Sequence, residues 1–400
     1  MRSGGHMKIK LIAVLACSTA ALVAAGPANA KSGDIIPNSY ICVFNAKAVN
    51  RGAVQAEANR AVNAAGGSVS HVYRYSIQGF AANMSAQAVS RMTARNPSIK
   101  YCEPDRLVEL GPIEPTKGKP GGVGGGGGGS SAETTPWGVT YVKGGSLSVA
   151  TTGARAWIID SGIDPTHEDL NVDQSGMAQN FVPRDSSWTD LNGHGTHVSG
   201  TIGAIKGNGK GVVGVVPGAL VTAVRVLDRR GSGAYSTVIA GIDWVAQPGH
   251  GKPGDVANMS LGGPQDDALD EAVLNAAATG VKFAIAAGNS ADNANNYSPA
   301  HAGSIADARA ANVYVVSAFD DQGVFAYFSN YGNPPIDYAE PGVNILSTWK
   351  NNGYNTISGT SMATPHLAGL LLAGKLAACG TVTGDTKDST PDPIGKSSCQ

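Results

Sequence analysis

Ile158-Ile159-Asp160-Ser161-Gly162-Ile163-Asp164 is the stretch on which the fold assignment turns. An apolar run beginning at Ala156 ends in a carboxylate and passes at once into Asp-Ser-Gly turn chemistry, as expected of a buried strand with a polar group at its carboxyl end. Val221–Leu227, Val256–Ser260, Phe283–Ala287 and Val313–Ala318 are further short apolar runs of the same kind, and strands buried on both faces suit a parallel sheet. Between them, Val238, Ile239, Ile242 and Val245 share one helical face. So do Leu269, Ala272, Val273 and Ala276, behind the acidic first turn Asp266-Asp267. Strand–helix alternation predicts a doubly wound, mostly parallel α/β sheet. Ligands of such sheets bind beyond the carboxyl ends of the strands, which singles out Asp160, Ser260 and Asn289.

Working outward, residues 111–134 form a linker whose core is six consecutive glycines, Gly124–Gly129; that much backbone freedom excludes regular structure. It divides a unit at 31–110 from a larger one at 135–400. The smaller unit reads as strand Tyr40–Phe44, helix Val54–Ala65, strands Ser68–Tyr75 and Ile77–Met84, helix Ala86–Arg95 and strand Ile99–Glu103. The order βαββαβ predicts a small α+β, ferredoxin-like sandwich with its first and last strands adjacent. Ahead of it, the basic start Met7-Lys8-Ile9-Lys10, the apolar residues 11–25 and the small-x-small site Ala28-Asn29-Ala30 read as a secretory signal peptide (7–30) cleaved after Ala30. Residues 1–6 are read as lying before the natural start at Met7. Residues 380–400 read as a polar tail.

Setting Cys17 aside with the signal leaves Cys42, Cys102, Cys379 and Cys399, an even number that suits an oxidising compartment. Three pairings are possible, and the two-unit organisation favours Cys42–Cys102 and Cys379–Cys399. The 29 Lys+Arg against 30 Asp+Glu leave a net charge of −1, which argues against nucleic-acid binding. A hydrophobic content of 42% is enough to fill a core and argues against disorder.

The chemistry lies in three segments. One is the strand ending at Asp160. The second is Asn192-Gly193-His194-Gly195-Thr196-His197-Val198-Ser199-Gly200. The third is Gly359-Thr360-Ser361-Met362-Ala363-Thr364-Pro365-His366. A serine hydroxyl is a weak nucleophile unless a base takes its proton. An imidazole serves as that base near neutral pH, and a carboxylate on its other nitrogen fixes the tautomer. A helix N-terminus at Ser361 supplies N–H groups and a positive dipole end for a developing oxyanion. Singly, Asp160 could cap a turn, Ser361 could cap a helix and Asn289 could fill a left-handed turn position. His194 and His197 lack a third ligand for a metal site. The joint occurrence outweighs each bland reading.

These segments, in the order Asp, His, Ser, resemble the subtilisin-like serine proteases, together with Asn258-Met259-Ser260-Leu261-Gly262-Gly263 and Ala286-Ala287-Gly288-Asn289. The likeness runs from about Thr135 to His366, and the smaller unit resembles the inhibitory propeptide of that family. The resemblance implies Asp160 orienting His194, His194 as general base and acid, Ser361 as nucleophile and Asn289 as oxyanion donor. It implies Ser260, Leu261 and Gly262 pairing with substrate backbone. Gly263, Ala287 and Gly288 would complete the wall of the pocket for the residue before the cleaved bond, with Asn296-Tyr297 at its base. None of these is a carboxylate, which points to an apolar pocket and broad specificity.

No catalytic cofactor is implied. Structural calcium is, through Asp169 and Asn208 at one site and Asp337 at another, although Lys206 and Lys210 in the first loop oppose a cation. The expected partners are protein and peptide substrates and the chain's own propeptide, acting as intramolecular inhibitor and folding template. The protein is expected to be a secreted monomer, free of nucleic acid and, after signal removal, of membrane. Autocleavage is expected between Leu110 and Trp137.

Overall fold

The computed structural model describes Met1, residues 31–111 and residues 132–400. The expected signal peptide, with Cys17 and its cleavage site, and nearly all of the linker lie outside the described residues. Among the described residues no helix is long and apolar enough to cross a membrane.

The central sheet is parallel through its core. Its strands run in the order Pro393–Lys396, Ile336–Pro341, Val313–Phe319, Lys282–Ala286, Val256–Met259, Ala156–Asp160 and Leu220–Arg225. The order in which successive strands are added reverses between Ala156–Asp160 and Val256–Met259, although the two strands are parallel. Crossovers on the two sides of that point lie on opposite faces and leave a crevice at the carboxyl ends, where Asp160 and Ser260 sit. Alternate side chains of Ala156–Asp160 feed two cores. Trp157 and Ile159 pack with the helices Tyr235–Ala246 and Asp267–Ala277, whereas Ala156 and Ile158 pack with His194–Gly203 and Thr360–Leu372.

Residues 380–400 are no free tail. Pro393–Lys396 extends the central sheet and pairs antiparallel with Ala377–Thr381, Ile394 and Val382 are buried, and Cys379 is bonded to Cys399. Apolar patterning missed this hairpin because its buried contribution is so small, and Ile336–Pro341 was missed because Asp337, Glu340 and Pro341 interrupt its apolar pattern.

The N-terminal part forms an antiparallel sheet of β1 (Ile35–Phe44), β2 (Ser68–Tyr73), β3 (Gly79–Asn83) and β4 (Ile99–Glu109), ordered β2-β3-β1-β4. Two helices, α1 (Val54–Ala65) and α2 (Ala86–Arg95), connect them. Cys42 faces Cys102 across the β1–β4 pair, and the two are disulfide-bonded. Phe44, Phe80 and Ala82 pack under the two helices, while Ile41, Val43, Tyr73 and Ala81 join the core shared with Tyr235–Ala246. The sheet is therefore apolar on both faces, and residues 31–400 form one compact unit. β4 runs six residues beyond the expected Glu103, and its end pairs antiparallel with Ser232–Ala234 (Leu107 opposite Ala234, Val108 opposite Gly233, Glu109 opposite Ser232).

Carboxylates hold this packing at helix N-termini, where free N–H groups need acceptors. Asp105 accepts from Ser236 N (3.1 Å) and Ser236 Oγ (2.6 Å), and Glu103 accepts from Ala268 N (2.9 Å). Asp243, near the other end of Tyr235–Ala246, accepts from the backbone N–H of Arg74, Tyr75 and Ser76. Glu103 shares its helix end with the buried cap Asp266, which accepts from Leu269 N.

Burial first, and then the facing carboxylate Glu103, push Asp266 up to about 8; burial likewise raises Glu103. Both acids bind protons more tightly packed than unpacked. Their contribution is therefore complete at low pH and is lost as pH rises from about 4 towards 8. In the full-length Ser361→Ala chain, urea unfolding of the N-terminal sheet should shift to lower midpoint over that range. Glu103→Gln should flatten the dependence.

Candidate active site

Asp160 ends its strand wholly buried, and His194 opens the His194–Gly203 helix at 2% exposure. Nδ1 of His194 lies 2.9 Å from both Asp160 oxygens. This contact assigns the proton to Nδ1 and leaves Nε2 as the basic nitrogen. Ser161 N donates to Asp160 Oδ1 at 2.6 Å.

Behind the pair stands Asp190, which the sequence reading did not single out. Its two oxygens accept from Ser161 Oγ, Asn192 N, Gly193 N, Thr196 N and Thr196 Oγ1, all at 2.7–2.9 Å. Gly195 N closes the network by donating to Ser161 Oγ. The carboxylate caps the histidine helix and ties it to the strand bearing Asp160. Asp190-Leu191-Asn192-Gly193 has the composition of an Asx turn, which was the available signal.

Ser361 lies in the first turn of Thr360–Leu372, beyond Gly359. Its hydroxyl donates to Ser260 O (3.0 Å), and Ser260 Oγ donates back to Ser361 O (2.8 Å). Asn289 Oδ1 accepts from Thr360 N and Thr360 Oγ1, each at 2.8 Å. With its oxygen so held, Asn289 presents Nδ2 to the cleft. Asn330, also unanticipated, holds the preceding loop. Its amide donates to Ala287 O and accepts from Ser290 N, so closely beneath Gly288 (φ +106°) that a Cβ there would stand 2.4 Å from Asn330 Nδ2.

Asp160, His194, Ser361, Asn289 and Ser260 thus gather at one end of the sheet. A cavity of about 360 Å³ adjoins Ser361 and Asn289. Ser260 to Gly263, Ala287, Gly288 and Tyr297 line it, and so do Glu109, Leu110 and Gly111 of the N-terminal part. Asn296 is not among its lining residues. β4's extension pairs with Ser232–Ala234, a short segment with no apolar pattern to betray it, Leu110 N donates to Gly231 O, and Leu107 exchanges backbone hydrogen bonds with Gly33 and Asp34. His197 is buried, with Nε2 3.0 Å from Ile345 O. Burial, then the neighbouring His194, lower its pKa to about 3, so it is a neutral packing residue.

At Asp169, where calcium was expected, protein donors engage the carboxylate. One Asp169 oxygen accepts from Asn208 Nδ2 (2.7 Å), the other from Val212 N (2.9 Å) and Tyr354 Oη (3.4 Å). Asn208 Oδ1 accepts from Lys210 N, Lys210 pairs with Glu168, and Lys206 Nζ donates to Gly145 O. Asp169 and Asn208 thus bond to each other and to protein donors instead of presenting only free oxygens to a hard cation. Asp337, on the surface, accepts from Val315 N with one oxygen.

Comparison with known proteins bears on the whole arrangement. The profile of the subtilase family (Peptidase S8) matches residues 156–377, more than half of the chain. The chain belongs to the subtilase family of serine proteases. Similar proteins include the extracellular serine proteinase of Thermus sp. (strain Rt41A), 34% identical over 92% of this chain and 88% of that protein. Proteinase R of Parengyodontium album is 34% identical over 84% and 79%. Alkaline serine exoprotease A of Vibrio alginolyticus is 39% identical over 76% of this chain, and the match spans about half (52%) of that relative. Among solved structures, a cold-adapted subtilisin-like serine proteinase aligns with a TM-score of 0.54 at 37% identity, covering 66% of this chain and 99% of its own. The fold is thus subtilisin-like, with a mostly parallel sheet.

For this subtilase, calcium removal should matter little at the Asp169 loop. The shift in melting temperature on adding EDTA should therefore be the same in wild type and Asp169→Asn within about 2 °C, below the shift that ~1 kcal/mol produces in a domain of this size. Differential scanning calorimetry with and without chelator checks this.

Proposed function

We propose that this subtilase is a secreted serine endopeptidase made as an autoprocessed zymogen, with residues 31–110 as a ferredoxin-like inhibitory propeptide. The observation that carries the reading is the buried Asp160–His194 pair at the same end of the sheet as Ser361 and Asn289, which line one cavity. The extracellular naming of the Thermus relative and the two disulfides support export.

The chemistry follows from the donors and acceptors. A turn of the Ser361 side chain releases its hydroxyl from Ser260 O and directs it to His194 Nε2. As Oγ bonds to the scissile carbonyl carbon, the proton passes to Nε2, and Asp160 stabilises the imidazolium without taking a proton. Negative charge gathers on the carbonyl oxygen, within reach of Asn289 Nδ2 and the backbone N–H groups at the helix start. Collapse breaks the C–N bond, His194 gives its proton to the departing amine, and water repeats the sequence on the acyl ester. Thr360 acts by holding Asn289. The cavity's lining from residues 260–300 includes no carboxylate, which suits uncharged side chains before the cleaved bond and broad specificity.

Wild-type precursor should shed an N-terminal fragment and digest casein, while Ser361→Ala stays whole and inert, as read by intact mass and a casein assay. An Asn289→Ala enzyme should lose about 10²–10³ in kcat with a much smaller change in KM, since the amide acts on charge that develops only in the transition state. Steady-state kinetics on a peptide anilide checks the second.

A further inference from the structure

β4 does not stop at the body of the N-terminal sheet. Val108 is wholly buried and packs in the same core as Tyr235, Glu109 pairs with Ser232, and Leu110 N donates to Gly231 O at 2.9 Å. A strand added to an edge in this way delivers successive residues along the cleft, and the next residue is Gly111. A Cβ built on Gly111 would stand 2.9 Å from Asn289 Nδ2, closer than real side chains come, and Gly111 lines the same cavity as Ser361. A side chain at 111 would have to shift away or displace Asn289 Nδ2. The residue that follows in the sequence is Pro112.

We infer that Gly111 occupies the place of the residue before the cleaved bond while forming, with Pro112, a bond this site handles poorly, so that the tail plugs the cleft instead of feeding it. The inference rests on the zymogen reading above and adds the register and the reason the plug survives. Gly111 sends no side chain into the cavity and so forgoes the apolar contact that helps substrates reach the transition state. Cutting there would join Ser361 Oγ to the Gly111 carbonyl carbon and break the bond to the Pro112 nitrogen. The serine proton would pass through His194 to that nitrogen, which carries a ring carbon where other residues carry hydrogen. Proline also restricts Gly111 itself to extended conformations, which stiffens the plug. Release must then come from a cut at another bond.

The test uses the full-length chain as wild type, Pro112→Ala, Gly111→Leu/Pro112→Ala and Ser361→Ala, with fragment masses followed over time and casein digestion in parallel. Leucine at 111 must draw back from Asn289 and enter the cavity. The wild type should yield no fragment ending at residue 111. The double variant should yield that fragment at least about tenfold faster than any wild-type processing, a factor within reach of even one methylene in an apolar pocket. Pro112→Ala should give the same fragment at an intermediate rate. A wild-type fragment ending at Gly111 would overturn the inference, even if the variants fail to fold. So would a casein-digesting double variant with wild-type fragments and rates. Processing of Ser361→Ala would instead overturn the zymogen reading, and the inference with it.

Discussion

A carboxylate with no exposure to water must be surrounded by donors, and Asp160 is such a carboxylate. Its donors are Ser161 N and the Nδ1–H of His194, and both are in place because Asp190 binds the Ser161 hydroxyl with one oxygen and the start of the histidine helix with both. The strand end, the turn and the helix are thus one hydrogen-bonded body. Loss of any member would leave a buried charge or N–H without a partner, at a cost of about 1–3 kcal/mol for each neutral group and more for a charge. The rest of the sheet serves to present this body beside Ser361.

The same rule operates at the N-terminal sheet. Helices Tyr235–Ala246 and Asp267–Ala277 end their axes at N–H groups that need acceptors, and Asp105 and Glu103 provide them from outside. The apolar run Ile41-Cys42-Val43-Phe44 feeds two cores at once, one under α1 and α2 and one against the larger part of the chain. A sheet greasy on both faces requires a second cover, and here the cover is the body that carries the candidate active site. Position along the cleft then follows from register, because β4 has no freedom to slide once Val108, paired opposite Gly233, is buried in the core shared with Tyr235.

Much of this was legible in the residues. Ala156–Asp160 was read to its boundaries, and α1 and α2 likewise, because buried strands and amphipathic helices leave strong periodic signals. Asp160, His194, Ser361 and Asn289 could be named because their types and flanking glycines are chemically restrictive. Thr360, Asp190 and Asn330 escaped notice because each acts through hydrogen bonds to residues brought near by folding. Ser232–Ala234 was missed because three small residues have no periodicity.

The sequence by itself determined the alternation of strands and helices and the residue types of the candidate reacting groups, and it favoured, without fixing, the cysteine pairing. These follow from local side-chain chemistry and near-neighbour spacing. Only the tertiary structure decided that Asn208, Val212 and Tyr354 donate to Asp169, that the C-terminal hairpin joins the central sheet, and that Gly111 rests against Asn289. Each is a contact between segments far apart in the chain, where direction and distance, not residue type, settle whether a carboxylate meets a cation or an N–H.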